Sequence, residues 1–268
     1  MSRYLFDNTG AETGGRFHAL ESCYDSFSRR QLELTGLASG WKCLEVGAGS
    51  GSLGDWLGEQ VGGSGDVTIT DLEPSWAIPR QRPDHVRLLQ HDIARDPLPG
   101  EGYDLVHARL VLLHLPDRLR VLERLVDALR PGGWLVLEEF DCGWTPVLAA
   151  PGQEAQDLFE RVHTALMGLL EDAGADPLWG RRVLAAMART GLEDLAAATY
   201  AEAWPGGGTG IALHRHNIDQ VAERLIASGI KPGELDGFRA LLEDRRFVVN
   251  SYPLISVRGR RPSERTDR

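Results

Sequence analysis

The chain has 268 residues, of which 42% are hydrophobic and 25% charged, enough apolar material for the core of one large domain. Its formal net charge of −10 argues against general affinity for nucleic acid or anionic membranes, which depends on a basic footprint. Cys23, Cys43 and Cys142 stand at unrelated spacings and suggest neither a disulfide framework nor a zinc site.

The first residues mix Arg3, Asp7 and Glu12 without an apolar signal core, and no apolar run approaches bilayer length, so a cytoplasmic location is expected. Lys42 and Lys231 are the only lysines beside many arginines, a bias that fits a G+C-rich bacterial genome. From position 4 to 38, Tyr4, Phe6, Phe17, Leu20, Tyr24, Phe27, Leu32 and Leu34 recur at roughly helical spacing and predict helices over the mouth of a ligand site, with Arg16 in reach of a carboxylate.

An apolar strand from Trp41 then ends in Glu45 and enters a glycine-rich turn, Gly47-Ala48-Gly49-Ser50-Gly51, that opens a helix with Leu53, Trp56, Leu57 and Val61 on one face. Two registers fit. Read from Gly49, the turn satisfies the dinucleotide pattern G-x-G-x-x-G, but this leaves a charge and a glycine in a strand that should be apolar. Read from Glu45, it is acid-x-Gly-x-Gly-x-Gly. Residues 66 to 71 read as a second strand ending in Asp71, about 20 residues beyond Gly51, where a βαβ unit delivers a carboxylate to ribose hydroxyls. Val86 to Gln90 predicts a third strand followed by Asp92 and Ile93, and Tyr103 to Arg109 a fourth that leads through His114 to a helix from Asp117. Arg130-Pro131-Gly132-Gly133 stops this helix, and Trp134 to Glu138 predicts the fifth strand.

Taken together and in this order, Glu45 to Gly51, Asp71, Asp92, Tyr103 to Val106 and Leu129 to Leu135 resemble the signature of the class I S-adenosylmethionine-dependent methyltransferases, over residues 41–140. The resemblance implies an α/β fold, a Rossmann-like doubly wound seven-stranded sheet with its last strand antiparallel, plus N-terminal and inserted lid helices. It implies S-adenosyl-L-methionine as cofactor and S-adenosyl-L-homocysteine as product. Glu45, Gly47, Ala48, Gly49 and Gly51 would shape the cofactor turn, Asp71 would serve the ribose, Asp92 and Ile93 the adenine, and Leu72 is a further cofactor-binding candidate. Arg16 and Arg109 are candidates for the cofactor's carboxylate.

One domain over 1–268 is expected: a helical cap (1–40), the cofactor core (41–140), lid helices with the sixth strand (141–245), a last strand (246–257) at or near an edge where Pro253 is tolerated, and a basic tail (258–268). Helices are predicted at 153–171, 178–189, 218–227 and 234–242. His114 is the candidate base, because it follows the fourth strand and imidazole titrates near neutrality. Tyr4, Glu139, Asp141 and Trp144 are candidate acceptor contacts, and the His214-Arg215-His216 pair lacks a nearby third ligand, so no metal is expected.

No Asp/Asn-Pro-Pro-aromatic motif follows the fourth strand and no Pro-Cys nucleophile occurs, which with the acidity disfavours nucleic acid as acceptor. The expected partner is a small-molecule methyl acceptor, similar to those of ubiquinone-pathway and secondary-metabolism enzymes, with no nucleic acid and no membrane; homodimerisation stays open. The rival readings are an NAD(P)-dependent oxidoreductase and a non-catalytic nucleotide-binding regulator.

Overall fold

The computed structural model describes Leu5, Phe6, Gly10 and residues 12–263. Tyr4 and the last part of the predicted tail lie outside the described residues. The elements in chain order are α1 (Thr13–Glu33), β1 (Lys42–Val46), α2 (Ser52–Val61), β2 (Asp66–Asp71), β3 (Val86–Gln90), β4 (Tyr103–Arg109), α3 (Arg118–Asp127), β5 (Leu129–Phe140), β6 (Val147–Ala149), α4 (Gln153–Asp172), α5 (Val183–Met187), β7 (Glu193–Tyr200), β8 (Ala203–Pro205), α6 (Ala212–Gln220), α7 (Ala222–Ala227), α8 (Pro232–Glu243), β9 (Val248–Asn250) and β10 (Leu254–Arg260).

Seven strands form one sheet in the order β3-β2-β1-β4-β5-β10-β7. The first five pair in parallel and β10 runs antiparallel between β5 and β7, so the fold is the expected doubly wound α/β sheet with its last strand reversed. The strand order reverses between β1 and β4, which opens a crevice at their carboxyl ends, the usual ligand site in such sheets. One apolar layer, including Trp56, Leu57, Val61 and Ile69, packs α2 on the sheet, and another, including Leu122, Leu125 and Leu137, packs α3. A third cluster, built on Tyr24, Phe159, Phe238, Phe247 and Tyr252, joins α1 to α4, α6, α7 and α8.

Three details differ from the sequence reading. The predicted last strand over 246–257 is two strands: β9 pairs with β6 and β8 in a small antiparallel sheet, and β10 enters the large one. Pro253, which cannot donate to a ladder, sits in the break between them. The tail predicted from 258 is ordered to Arg260, which pairs with Trp134, because β5 extends far enough to template it. The helix predicted at 178–189 is reduced to a short 3-10 turn and α5. Among the described residues no helix is long and apolar enough to cross a membrane.

A buried sheet of this kind normally excludes charge, yet Glu45 of β1 and His107 of β4 are register partners and both are buried. His107 Nδ1 lies 2.6 Å from Glu45 Oε2, and Nε2 lies 3.4 Å from Glu138 Oε2 on β5. Burial alone would discharge the imidazole, but Glu45 and then Glu138 outweigh it and push its pKa up to about 9. His107 is therefore an imidazolium clamped between two carboxylates.

Because this folded value exceeds the ordinary 6.5, the contribution of His107 is complete below about pH 6.5 and is lost as pH rises through about 9. Thermal denaturation should show stability falling across that window. In His107→Gln the slope should flatten and stability at neutral pH should drop by about 3–5 kcal/mol, since two buried carboxylates lose their cation.

Candidate functional site

The turn between β1 and α2 takes its shape from three glycines with left-handed backbone, Gly47 (φ 71°), Gly49 (φ 58°) and Gly51 (φ 90°). The amides of Gly47 and Ala48 donate to the Thr70 carbonyl at 2.8 and 3.0 Å, which ties the turn to the end of β2. There Asp71 accepts from the Gly49 amide at 2.8 Å through Oδ2 and from the Glu73 amide at 2.8 Å through Oδ1. Burial raises its pKa, against the pull of these two amides.

A cavity of about 510 Å³ opens over this turn, within the size range of small-molecule sites. Its walls include Gly47, Ala48, Gly49, Asp71, Leu72, Asp92, Ile93, Arg16, Arg109 and His114, so ten of the predicted site residues converge on one space. Asp92 is held by the Ala94 amide at 2.9 Å and faces Arg95 at 3.5 Å. Arg109 is already engaged, donating to Asp25 at 2.9 Å and to Ser28 Oγ at 3.1 Å. Phe17 and Glu21 of α1 also line the cavity, and Glu21 accepts from the Ser50 hydroxyl.

Six predicted residues are not brought to the cavity or cannot be placed there. Glu45 points into the sheet at His107 and supports the turn from behind. Gly51 is turned away, its hydrogen facing Arg82 and Ala77, because it caps α2 in left-handed backbone. Glu139 is fully buried; its carboxylate accepts the amides of Leu112 (2.8 Å) and Leu113 (3.4 Å), and burial pushes its pKa up to about 8. It anchors the 3-10 turn that carries His114 and is no acceptor contact. Asp141 is paired twice with Arg181, at 2.6 and 2.9 Å, and Trp144 is 53% exposed away from the cavity. Tyr4 lies outside the described residues.

Before His114, Leu110 adopts φ 57°, an uncommon conformation for a bulky residue, with its amide donating to the Glu138 carbonyl at 2.8 Å. Burial, then Arg16 and Arg118, push the His114 imidazole down to about 3, so it is neutral at pH 7. His214 and His216 serve separate contacts: His214 meets the Tyr252 hydroxyl at 3.1 Å and His216 meets Glu12 at 2.8 Å.

The sequence reading missed a second space of about 40 Å³ behind the first. It shares Arg16, Leu20, Leu110 and His114 with the main cavity and is otherwise lined by apolar side chains of β5, α4 and α6 together with Phe6, Asn217 and Tyr252. The apolar spacing of α4 was legible, but nothing in it distinguishes core from pocket wall.

The geometry also bears on the two glycine registers. A charge in β1, which counted against the dinucleotide register, is present and neutralised by His107, so that objection falls. What separates the registers is Gly51: the dinucleotide pattern needs its second glycine where the backbone approaches a pyrophosphate, and here that glycine faces away from the cavity.

The family described as "Methyltransferase domain" matches residues 44–135, the stretch from β1 into β5. Methyltransferase str2 of Strobilurus tenacellus is 34% identical over 170 residues, covering 62% of this chain and 58% of that protein. The ubiquinone/menaquinone biosynthesis C-methyltransferase UbiE of Laribacter hongkongensis is 31% identical over 150 residues, 54% of this chain and 59% of that one. The chain thus matches somewhat under three fifths of the length of these curated relatives. A Bacillus halodurans C-125 protein provisionally assigned as a methyltransferase shares the fold, with a TM-score of 0.58 at 18% identity over 88% of this chain and 98% of that one. Residues 44–135 match a methyltransferase domain, and the ordered motif and sheet topology are similar to those of the class I S-adenosylmethionine-dependent methyltransferases.

Proposed function

We propose that this protein moves a methyl group from S-adenosyl-L-methionine to an O, N or C atom of a small, partly apolar molecule of the natural-product type. The carrying observation is the cavity at the carboxyl ends of β1, β2 and β4, where a glycine cradle, two acids that follow strands and an apolar annex meet.

The residues present fit the cofactor. At Gly47 a Cβ would lie 2.3 Å from Val111 and at Gly49 3.1 Å from Phe17, both cavity-lining side chains, so glycine is what lets the turn close against those two walls. In this reading Asp71 accepts from the ribose hydroxyls, Asp92 accepts from the adenine amino group, and Ile93 packs on the ring. Bound there, S-adenosylmethionine would supply a sulfonium-activated methyl group, whose carbon–sulfur pair would return to sulfur as the acceptor takes the carbon. The chain's task is positioning and water exclusion, with no protein nucleophile required. His114, neutral and facing both spaces, is placed to take a proton from an acceptor that carries one.

Isothermal titration calorimetry should show binding of S-adenosylhomocysteine and none of NAD(H) or NADP(H); the reverse pattern would return the site to the dinucleotide register. Asp71→Asn, which removes one charged acceptor from the cavity, should weaken S-adenosylhomocysteine by about 10- to 100-fold. Because the two oxygens of Asp71 each accept a backbone amide, from Gly49 and Glu73, Asp71→Asn sets its NH2 against one of these donors and Asp71→Ala loses both bonds, so the melting temperature should fall in both variants. Gly47→Ala forces an L side chain into left-handed backbone and against Val111, and urea unfolding should register a loss of at least about 1–2 kcal/mol together with weaker cofactor binding.

A further inference from the structure

Three arginines line the two spaces, and among the described residues two of them meet a carboxylate. Arg109 has Asp25 at 2.9 Å and Arg95 has Asp92 at 3.5 Å. Arg16 is only 7% exposed, yet no carboxylate among the described residues lies within ion-pair distance of it. Its Nε donates to Asn217 Oδ1 at 3.2 Å, and its guanidinium lies 4.5 Å from the centre of the Phe6 ring. A neutral amide and an aromatic face orient a guanidinium without neutralising it, and a buried cation without a counterion is costly. Both of these neighbours line the small pocket and neither lines the glycine-turn cavity, so the charge is held toward the pocket. Around it the pocket is apolar, with Phe140, Leu166, Leu170 and Leu213 among its walls.

We propose that the small pocket, together with the part of the main cavity that opens onto it, is the methyl-acceptor subsite, and that it takes an anionic, otherwise apolar small molecule whose carboxylate or ionised hydroxyl enters the small pocket and pairs with Arg16. This rests on the methyltransferase reading for the word acceptor, whereas the anion site itself stands on the geometry. The charge-assisted pair would fix the acceptor's register in an otherwise non-directional pocket. An anion there would also offset the field of Arg16 on His114, although burial, the larger cause of its lowered pKa, would remain. Arg16 is thus assigned to the acceptor, in contrast to the cofactor role expected from the sequence.

The test uses benzoate and benzamide, an aromatic anion and its neutral isostere, titrated calorimetrically into the full chain with and without saturating S-adenosylhomocysteine. Benzoate should bind about tenfold or more tightly than benzamide. Arg16→Gln should erase that preference while S-adenosylhomocysteine affinity stays within about twofold. Asn217→Asp keeps the packing but supplies an internal carboxylate, and it should erase the preference too, so the test does not depend on the folding of one variant. Equal binding of the two probes, or none, overturns the anion subsite. So does a fall of about tenfold in S-adenosylhomocysteine affinity in Arg16→Gln with 5′-methylthioadenosine, which lacks the amino-acid end, unaffected, since Arg16 would then serve the cofactor carboxylate. If S-adenosylhomocysteine fails to bind the unsubstituted chain, the methyltransferase reading fails, while the probe comparison made without it still decides the pocket.

Discussion

The imidazolium of His107 between Glu45 and Glu138 is the contact on which the arrangement of the site depends. It joins β1, β4 and β5 at the level where the strands end, through charges that cannot leave the low-dielectric interior unpaired. The network does not stop at the sheet: Ser28 of α1 donates to Glu138, and Arg109 bridges Ser28 and Asp25. A helix far away in sequence is thereby pinned over the carboxyl ends of the strands. A purely apolar contact would hold the same surfaces together with less directional demand, whereas short hydrogen bonds to fixed carboxylates define one position.

That position makes the cavity. With α1 fixed, Phe17, Glu21 and Arg16 form its outer wall, and the 3-10 turn Leu112–His114, hung from the Glu139 carboxylate, forms the side facing them. Two adjacent acids at the end of β5 therefore do different work. Glu138 is held in its charged form, since His107 and Arg109 overcome its burial, while for Glu139 burial outweighs the backbone donors and pushes the pKa up. Neither reaches the cavity, and each holds an element that does.

The helices beyond β5 serve a second purpose. Aromatic contacts such as Phe159 on Phe238 (5.6 Å between centroids) and His214 on Tyr252 (4.8 Å) join α4, α6 and α8 to the end of β9 and the start of β10. This packing closes the inner pocket on the side away from the glycine turn, so that one wall of the proposed acceptor space belongs to the core of the helical layer.

The sequence by itself determined the sheet and the cofactor turn. β2 and β3 occupy the predicted ranges, and the acids Asp71 and Asp92 stand at the predicted strand ends, because alternation, glycine punctuation and strand-to-acid spacing are local signals. Only the tertiary structure decided which polar residues face ligand space and which hold the scaffold. Glu45, Glu139 and Asp141 look alike in sequence as acids at strand ends, and each is taken up by a distant partner: His107, the Leu112 turn and Arg181. On α1 the buried stripe contains Asp25 and Ser28 beside Arg16 among apolar residues, and a reading by hydrophobic period singled out Arg16 but passed over the other two. Pairing across such separations depends on how the elements pack, and a single chain read in order carries no local trace of it.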